Sequence, residues 1–279
     1  MPTKAAASFF YFDPAHLTRI AEARAQEYQH AEPFPHVVID NFLPEDVIDE
    51  CLGEFPKPQD VPWTEYTDAG NTKKLAVQEE TLMGPFTRHL LSQLNASTFM
   101  QFLETLTGIS GLVGDPHLLG GGLHQIEAGG FLNIHADFNR HPTLRLDRKL
   151  NLLLYLNRNW KDEYGGDLQL WSRDMSHCER RVFPVANRCV IFSTTDTSFH
   201  GHPEPLTTPP GVTRKSLALY YYAAVMDQEA SPDHSTLYQA RGGDDDGARQ
   251  WREQVRRFVP PIAVDGVHRV RARLGRRSG

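Results

Sequence analysis

Residues 149–157, KLNLLLYLN, decide how the rest of the chain is read. Successive side chains of a β-strand point to opposite faces. Written as a strand, the segment puts Leu150, Leu152, Leu154 and Leu156 on one face. Asn151, Leu153, Tyr155 and Asn157 fall on the other. The leucine face suits packing against the helical part of the chain. A polar Asn151/Tyr155 stripe inside so apolar a strand argues for the wall of an occupied polar pocket.

The surrounding sequence has the same character. Between residues 111 and 225, apolar runs alternate with glycine-rich turns: GGGLHQIEAGGFLNIHADF, GGDLQLW, RVFPV, RCVIFST and SLALYYYAAV. Short strands with such punctuation predict a sandwich or barrel. Upstream, residues 13–30 read as a helix, with Asp13 as its N-cap and Pro14 in the first position. FPHVVIDNFLP reads as a short strand, and a helix starts at Pro44. Residues 56–78 read as a polar, proline-containing loop, and 80–107 as helix with a break near Asn95. Downstream, RGGDDDG (241–247) reads as an acidic linker and about 248–258 as a short helix. The tail VHRVRARLGRRSG holds five arginines and reads as a solvated end. The expected organisation is a support region at 1–110, a β core at 111–227 and a C-terminal region at 228–279.

The totals exclude more than they select. A chain of 279 residues fits one large domain with additions. A net charge of −6 argues against nucleic acid or an anionic membrane as partner. No apolar run approaches the roughly 20 residues that span a bilayer. The N-terminal AAASFFYF, interrupted by Asp13-Pro14, makes a poor signal peptide. Three cysteines, Cys51, Cys178 and Cys189, form no CxxC and no even framework. They are expected as reduced thiols in a cytoplasmic protein.

The chemistry gathers around FLNIHADFNRH, residues 131–141. Alternation projects His135 and Asp137 together, with Asn133 on the same face. Alone, such a pair is a metal-ligand pair or a surface ion pair. TSFHGHP then places His200 after the apolar run CVIFST, with His202 on the same face. Two histidines and one carboxylate leave three open positions on one face of Fe(II). The same ligands could take zinc, with a water for hydrolysis. Further on, TRKSLALYYYA puts Arg214 and Ser216 on one face. An arginine fork beside a hydroxyl binds a carboxylate bidentately.

In the order HAD, LLLYLN with NWKDEYGGDLQLW, NRCVIFSTTDTSFHG and RKSLALYYY, residues 120–225 resemble the Fe(II)/2-oxoglutarate dioxygenases of the prolyl 4-hydroxylase type. PHVVIDNFLPED resembles that family's opening strand and helix. The resemblance implies a mainly β fold with helical additions. Its core would be a double-stranded β-helix, a cupin-like jelly roll buttressed by N-terminal helices. It implies His135, Asp137 and His200 as iron ligands. It implies Arg214 as partner of the distal carboxylate of 2-oxoglutarate, helped by Tyr155 and Ser216, with Asn151 or Gln125 near the oxo-acid end. Gln125 stands where some relatives carry a tyrosine. With O2, the co-substrate would become succinate and CO2 while a C–H bond is hydroxylated; ascorbate is a candidate reductant. The intact Asp137 argues against halogenation.

Substrate residues are less determined. Asn133 and His202 are candidates inside the barrel. Arg140 and Arg145 are candidates on segment 138–149, read either as a lid over the substrate or as a static connection. Peptidyl proline, a free amino acid, a nucleotide-linked sugar and a secondary metabolite all fit, and the oligomeric state is open. A non-catalytic jelly-roll binding protein and a zinc hydrolase on the same barrel are the competing functions.

Overall fold

The computed structural model describes residues 10–67, 70–224 and 233–239. The expected acidic linker, the helix near 248–258 and the basic tail lie outside the described residues. Helix α1 (Pro14–Gln29) starts where the sequence places it, and the Asp13 carboxylate accepts from Ala15 N at 3.1 Å. Strand β1 (His36–Ile39) and helix α2 (Glu45–Glu54) follow. The next stretch corrects the sequence reading. Residues expected as loop contain two antiparallel strands, β2 (Thr64–Tyr66) and β3 (Asn71–Val77). Their composition is polar, and their extended form comes from pairing with a distant strand. Helices α3 (Pro85–Leu94) and α4 (Ser97–Thr107) flank the expected break at Asn95.

Nine more strands follow: β4 (Val113–Gly114), β5 (Gly122–Ala136), β6 (Asp147–Tyr155), β7 (Leu168–Trp171), β8 (Cys178–Val182), β9 (Cys189–Ser193), β10 (His200–His202), β11 (Arg214–Ala223) and β12 (Leu237–Tyr238). RVFPV contributes only its first two residues to a strand, because β8 begins earlier and ends at Val182. All pairings are antiparallel, in the order β1-β9-β6-β11-β5-β10-β7-β8. Strands β3 and β12 also pair with β5, and β4 with β11. The sheet curls into a nearly closed barrel, the expected double-stranded β-helix. The sheet does not end at the expected core boundary of 227, since β12 pairs Leu237 with Ala136 and Tyr238 with His135.

The two faces of KLNLLLYLN separate as its alternation requires. Leu150, Leu152, Leu154 and Leu156 join the core that α1 to α4 form with the outer face of the sheet, alongside Leu91, Phe99 and Leu103. Burying each leucine stabilises the fold by roughly 1.5–3 kcal/mol. Tyr155 instead packs inside the barrel with Val190, Phe192, Leu168 and Leu170. The helices therefore buttress one face of the sheet and leave the other for a cavity.

Candidate active site

Strand β5 is central to the cavity because it pairs with four others. His135 and Asp137 lie at its end, and His200 on β10 sits directly opposite His135. Gly201 makes this pairing close. A Cβ there would lie 2.7 Å from the carbonyl oxygens of both Leu132 and Asn133. The ligand atoms of His135, Asp137 and His200 lie within 4.8 Å of one another, and all three residues are buried. His135 Nε2 is 3.5 Å from one Asp137 oxygen, and His200 Nε2 is 3.4 Å from the other.

The opposite edges of both imidazoles are committed elsewhere. His135 Nδ1 donates to Asn133 O at 2.8 Å, and His200 Nδ1 donates to Ser198 O at 2.9 Å. Each bond sets the tautomer and leaves Nε2 with a lone pair aimed at the cluster. Burial first, and then neighbouring His200, hold His135 below its ordinary pKa, so the neutral ligand form is favoured. Burial opposes ionisation of Asp137. The Arg148 guanidinium and His200 outweigh it and hold the carboxyl well below the usual carboxylate range. Two nitrogen donors and a carboxylate, buried and converging, fit Fe(II).

Arg148 escapes the sequence reading. Alternation would send it outward with Leu150. A bulge at Lys149 shifts the β6–β11 register, pairing Tyr221 with Leu150 and Tyr222 with Arg148, and turns Arg148 inward. There Arg148 Nη2 donates to Asp137 Oδ2 at 3.0 Å and to Asn151 Oδ1 at 2.6 Å. Asn151 Nδ2 donates to the same Asp137 oxygen at 2.6 Å. The guanidinium carbon lies 3.4 Å from the Tyr220 ring centroid, which adds a cation–π contact. The Asn151 side chain thus serves the metal-side carboxylate.

Arg214 stands at the other end of the cavity, with Tyr155, Gly166 and Ser216 around it. Its Nε donates to Gly166 O at 2.7 Å and its Nη2 to the Tyr155 hydroxyl at 3.2 Å. Burial raises the Tyr155 pKa, so this phenol stays protonated. Arg214 is 6% exposed and has no ion-pair partner among the described residues. Arg214, Ser216 and Asn151 line the same cavity as His135, Asp137 and His200.

The remaining candidates divide. His202 lines the cavity. Burial, with the nearby charges of Arg214 and Lys74, holds its pKa well below the ordinary histidine value. Gln125 is a correction, because its side chain turns away from the cavity. Its amide donates to Pro56 O at 3.3 Å and its oxygen accepts from Thr213 Oγ1 at 2.9 Å. Its neighbour His124 takes the wall instead. Asn133 contributes a carbonyl to His135, and its side chain is not on the cavity wall.

Arg140 and Arg145 are also off the wall. Arg140 pairs with Asp147 at 3.1 Å and Asp233 at 2.6 Å. The segment folds back on itself, with His141 N donating to Leu146 O and Arg148 N to Asn139 O. In this structure the segment is tied to its neighbours through Arg140. Lys74, on the strand read as loop, does line the cavity.

Residues 121–222 match the family model described as the 2OG-Fe(II) oxygenase superfamily. A prolyl hydroxylase from Trichoplax adhaerens, solved with a hypoxia inducible factor oxygen degradation domain peptide, is 17% identical with a TM-score of 0.53. That match covers 75% of this chain and 91% of the other, and it shows that the fold is shared. A Pseudomonas putida prolyl-4-hydroxylase is 17% identical over 74% of this chain and 100% of its own, with a TM-score of 0.49. Prolyl 4-hydroxylases from Phytophthora capsici are 20% identical over 92% of this chain and 78% of theirs, with a TM-score of 0.49. No curated protein matches the chain.

Proposed function

We propose, for a chain whose residues 121–222 belong to the 2OG-Fe(II) oxygenase superfamily and which is thereby an Fe(II)- and 2-oxoglutarate-dependent dioxygenase, that it hydroxylates an aliphatic C–H bond. The substrate class is an amino-acid, peptidyl (prolyl-type) or other small molecule. His135, Asp137 and His200 hold the iron. Iron held there supplies oxygen activation coupled to decarboxylation of 2-oxoglutarate. The balance is substrate C–H, O2 and 2-oxoglutarate in, and alcohol, succinate and CO2 out.

One observation carries the reading. A single cavity has a converging His–Asp–His cluster at one end and a buried arginine without an acidic partner among the described residues at the other. 2-Oxoglutarate is an anion at both ends, with an oxo-acid chelate for the metal and a carboxylate for the fork. Arg214 holds that carboxylate in a charge-assisted pair. Tyr155 keeps the guanidinium in place from its Nη2 side, and Ser216 supplies a hydroxyl donor on the same wall. Arg148 and Asn151 hold Asp137 ionised and aimed at the cluster. A zinc hydrolase or a sugar-binding jelly roll leaves the buried Arg214 without a purpose.

The test is succinate release from 2-oxoglutarate by the full chain across a panel of prolyl peptides, amino acids and metabolites. Release that requires iron and O2, and accelerates with one member of the panel, is the expected result. Iron-independent turnover, or no succinate with any member, overturns the reading.

A further inference from the structure

The end of β5 that carries His135 is held on both flanks, and the second flank comes from β12, the last strand of the described residues. On one flank β10 pairs His200 with His135. On the other, β3 follows β5 only as far as Asn133, whose N donates to Gly70 O at 2.7 Å. From there β12 takes over. Tyr238 pairs with His135, Leu237 pairs with Ala136, and Gln239 N donates to Ile134 O at 3.1 Å. Among the described residues, the metal-bearing end of β5 has no other strand on that side.

Directly opposed residues of antiparallel strands put their side chains on one face, with Cβ atoms about 4.5–5.5 Å apart. His200, His135 and Tyr238 therefore stand in one row. The His135 ring centroid lies 4.5 Å from that of His200 and 5.6 Å from that of Tyr238. Tyr238 is itself fixed. Its hydroxyl accepts from Asn71 Nδ2 at 3.0 Å. Its ring lies against Gly70, where a Cβ would come within 2.2 Å of the ring carbons. The residues before β12 reach the segments of the other two ligands. Asp233 pairs with Arg140 at 2.6 Å and His234 N donates to Asn139 Oδ1 at 3.0 Å, just beyond Asp137. His234 Nε2 donates to Asp196 Oδ1 at 2.8 Å, shortly before His200.

We infer that residues 233–239 are a clasp on the iron site, and that Tyr238 is a positioning residue for His135, holding the imidazole between itself and His200. This rests on the reading of His135 as an iron ligand. The Nδ1 bond to Asn133 O sets the tautomer of that imidazole. One hydrogen bond fixes one edge of a ring, and packing on both sides fixes its tilt. Outer partners that orient a ligand in this way raise the affinity for the ion. Iron affinity therefore depends on a segment that contributes no ligand.

The experiment is anaerobic titration of the full chain with Fe(II) against a competing chelator. For each variant, the melting temperature of the metal-free chain and the 2-oxoglutarate affinity of the iron-loaded chain are read as well. Tyr238→Ala should weaken iron binding about tenfold, the low end of the range for loss of an outer partner of a metal ligand. Melting temperature and 2-oxoglutarate affinity should hold, because Tyr238 is half-buried and off the cavity wall. Tyr238→Phe keeps the ring and loses only the Asn71 bond, so its iron affinity should stay within about twofold of the unaltered protein. Gly70→Ala should displace the same ring and weaken iron binding as Tyr238→Ala does. In the Tyr238→Ala background it should add nothing. Iron affinity unchanged in Tyr238→Ala, or lowered only together with melting temperature and 2-oxoglutarate affinity, overturns the inference. A Phe variant no better than Ala, or full additivity of the Gly70 and Tyr238 changes, does the same. His135→Ala separates the two levels. Iron binding kept in that variant overturns the ligand reading itself. Loss there without loss in Tyr238→Ala overturns only the inference.

Discussion

The metal end and the carboxylate end of the cavity are built on opposite plans. At the metal end the protein supplies the hydrogen bonds that orient its own ligands. Both histidines spend Nδ1 on the carbonyl two residues earlier in the chain, and Asp137 accepts from Arg148 and Asn151. At the other end Arg214 has no carboxylate among the described residues. The first end is preorganised by the chain, while the second is completed by a ligand. A metal site needs its ligands oriented before the ion arrives. A co-substrate that enters and leaves as succinate at every turnover needs donors that are vacant between visits.

Four outcomes break or sharpen this contrast. The largest effect is expected at the metal end. His135→Ala or Asp137→Ala should abolish tight binding of one Fe(II) per chain, and turnover with it. Unchanged iron stoichiometry in either variant would remove the cluster from its role.

At the other end, truncating a buried arginine that pairs with a carboxylate costs about 2–5 kcal/mol. Arg214→Ala should therefore raise the Michaelis constant for 2-oxoglutarate by more than tenfold while iron binding holds. Arg214→Lys keeps the charge without the fork and should recover part of the loss. A normal 2-oxoglutarate response in Arg214→Ala would mean that the two ends do not differ as described.

Arg148→Met probes the supporting layer of the metal end. Loss of an outer partner of a metal ligand typically lowers affinity about 10–100-fold. The same drop in iron affinity is expected here, with the 2-oxoglutarate affinity of the iron-loaded protein kept. If iron affinity does not fall, Arg148 acts through packing on Tyr220 alone. The smallest effect belongs to Arg140→Ala. Its ion pairs with Asp147 and Asp233 are partly exposed and contribute about 1 kcal/mol or less. Substrate and co-substrate Michaelis constants should not move. A raised substrate constant would restore segment 138–149 as a lid.

Alternation alone, read along single segments, determined a good deal. It separated the leucine face of 149–157 from its polar face, and it placed His135 with Asp137 and Arg214 with Ser216. The helix at 14–29 and the break at Asn95 were legible in caps and spacing. These features depend on neighbours a few residues away, so local chemistry suffices to show them. Tertiary structure decided the rest. Pairing with β5 turned the polar stretch 71–77 into a strand and brought Lys74 to the cavity. A bulge at Lys149 reversed the direction of Arg148, which strict alternation sends outward. The strand register chose His124 over Gln125 as the wall residue. In each case the deciding interaction joins residues dozens of positions apart or depends on a one-residue slip. Because side chains repeat every two residues along a strand, one slip exchanges inside for outside, and only the paired strand fixes which is which.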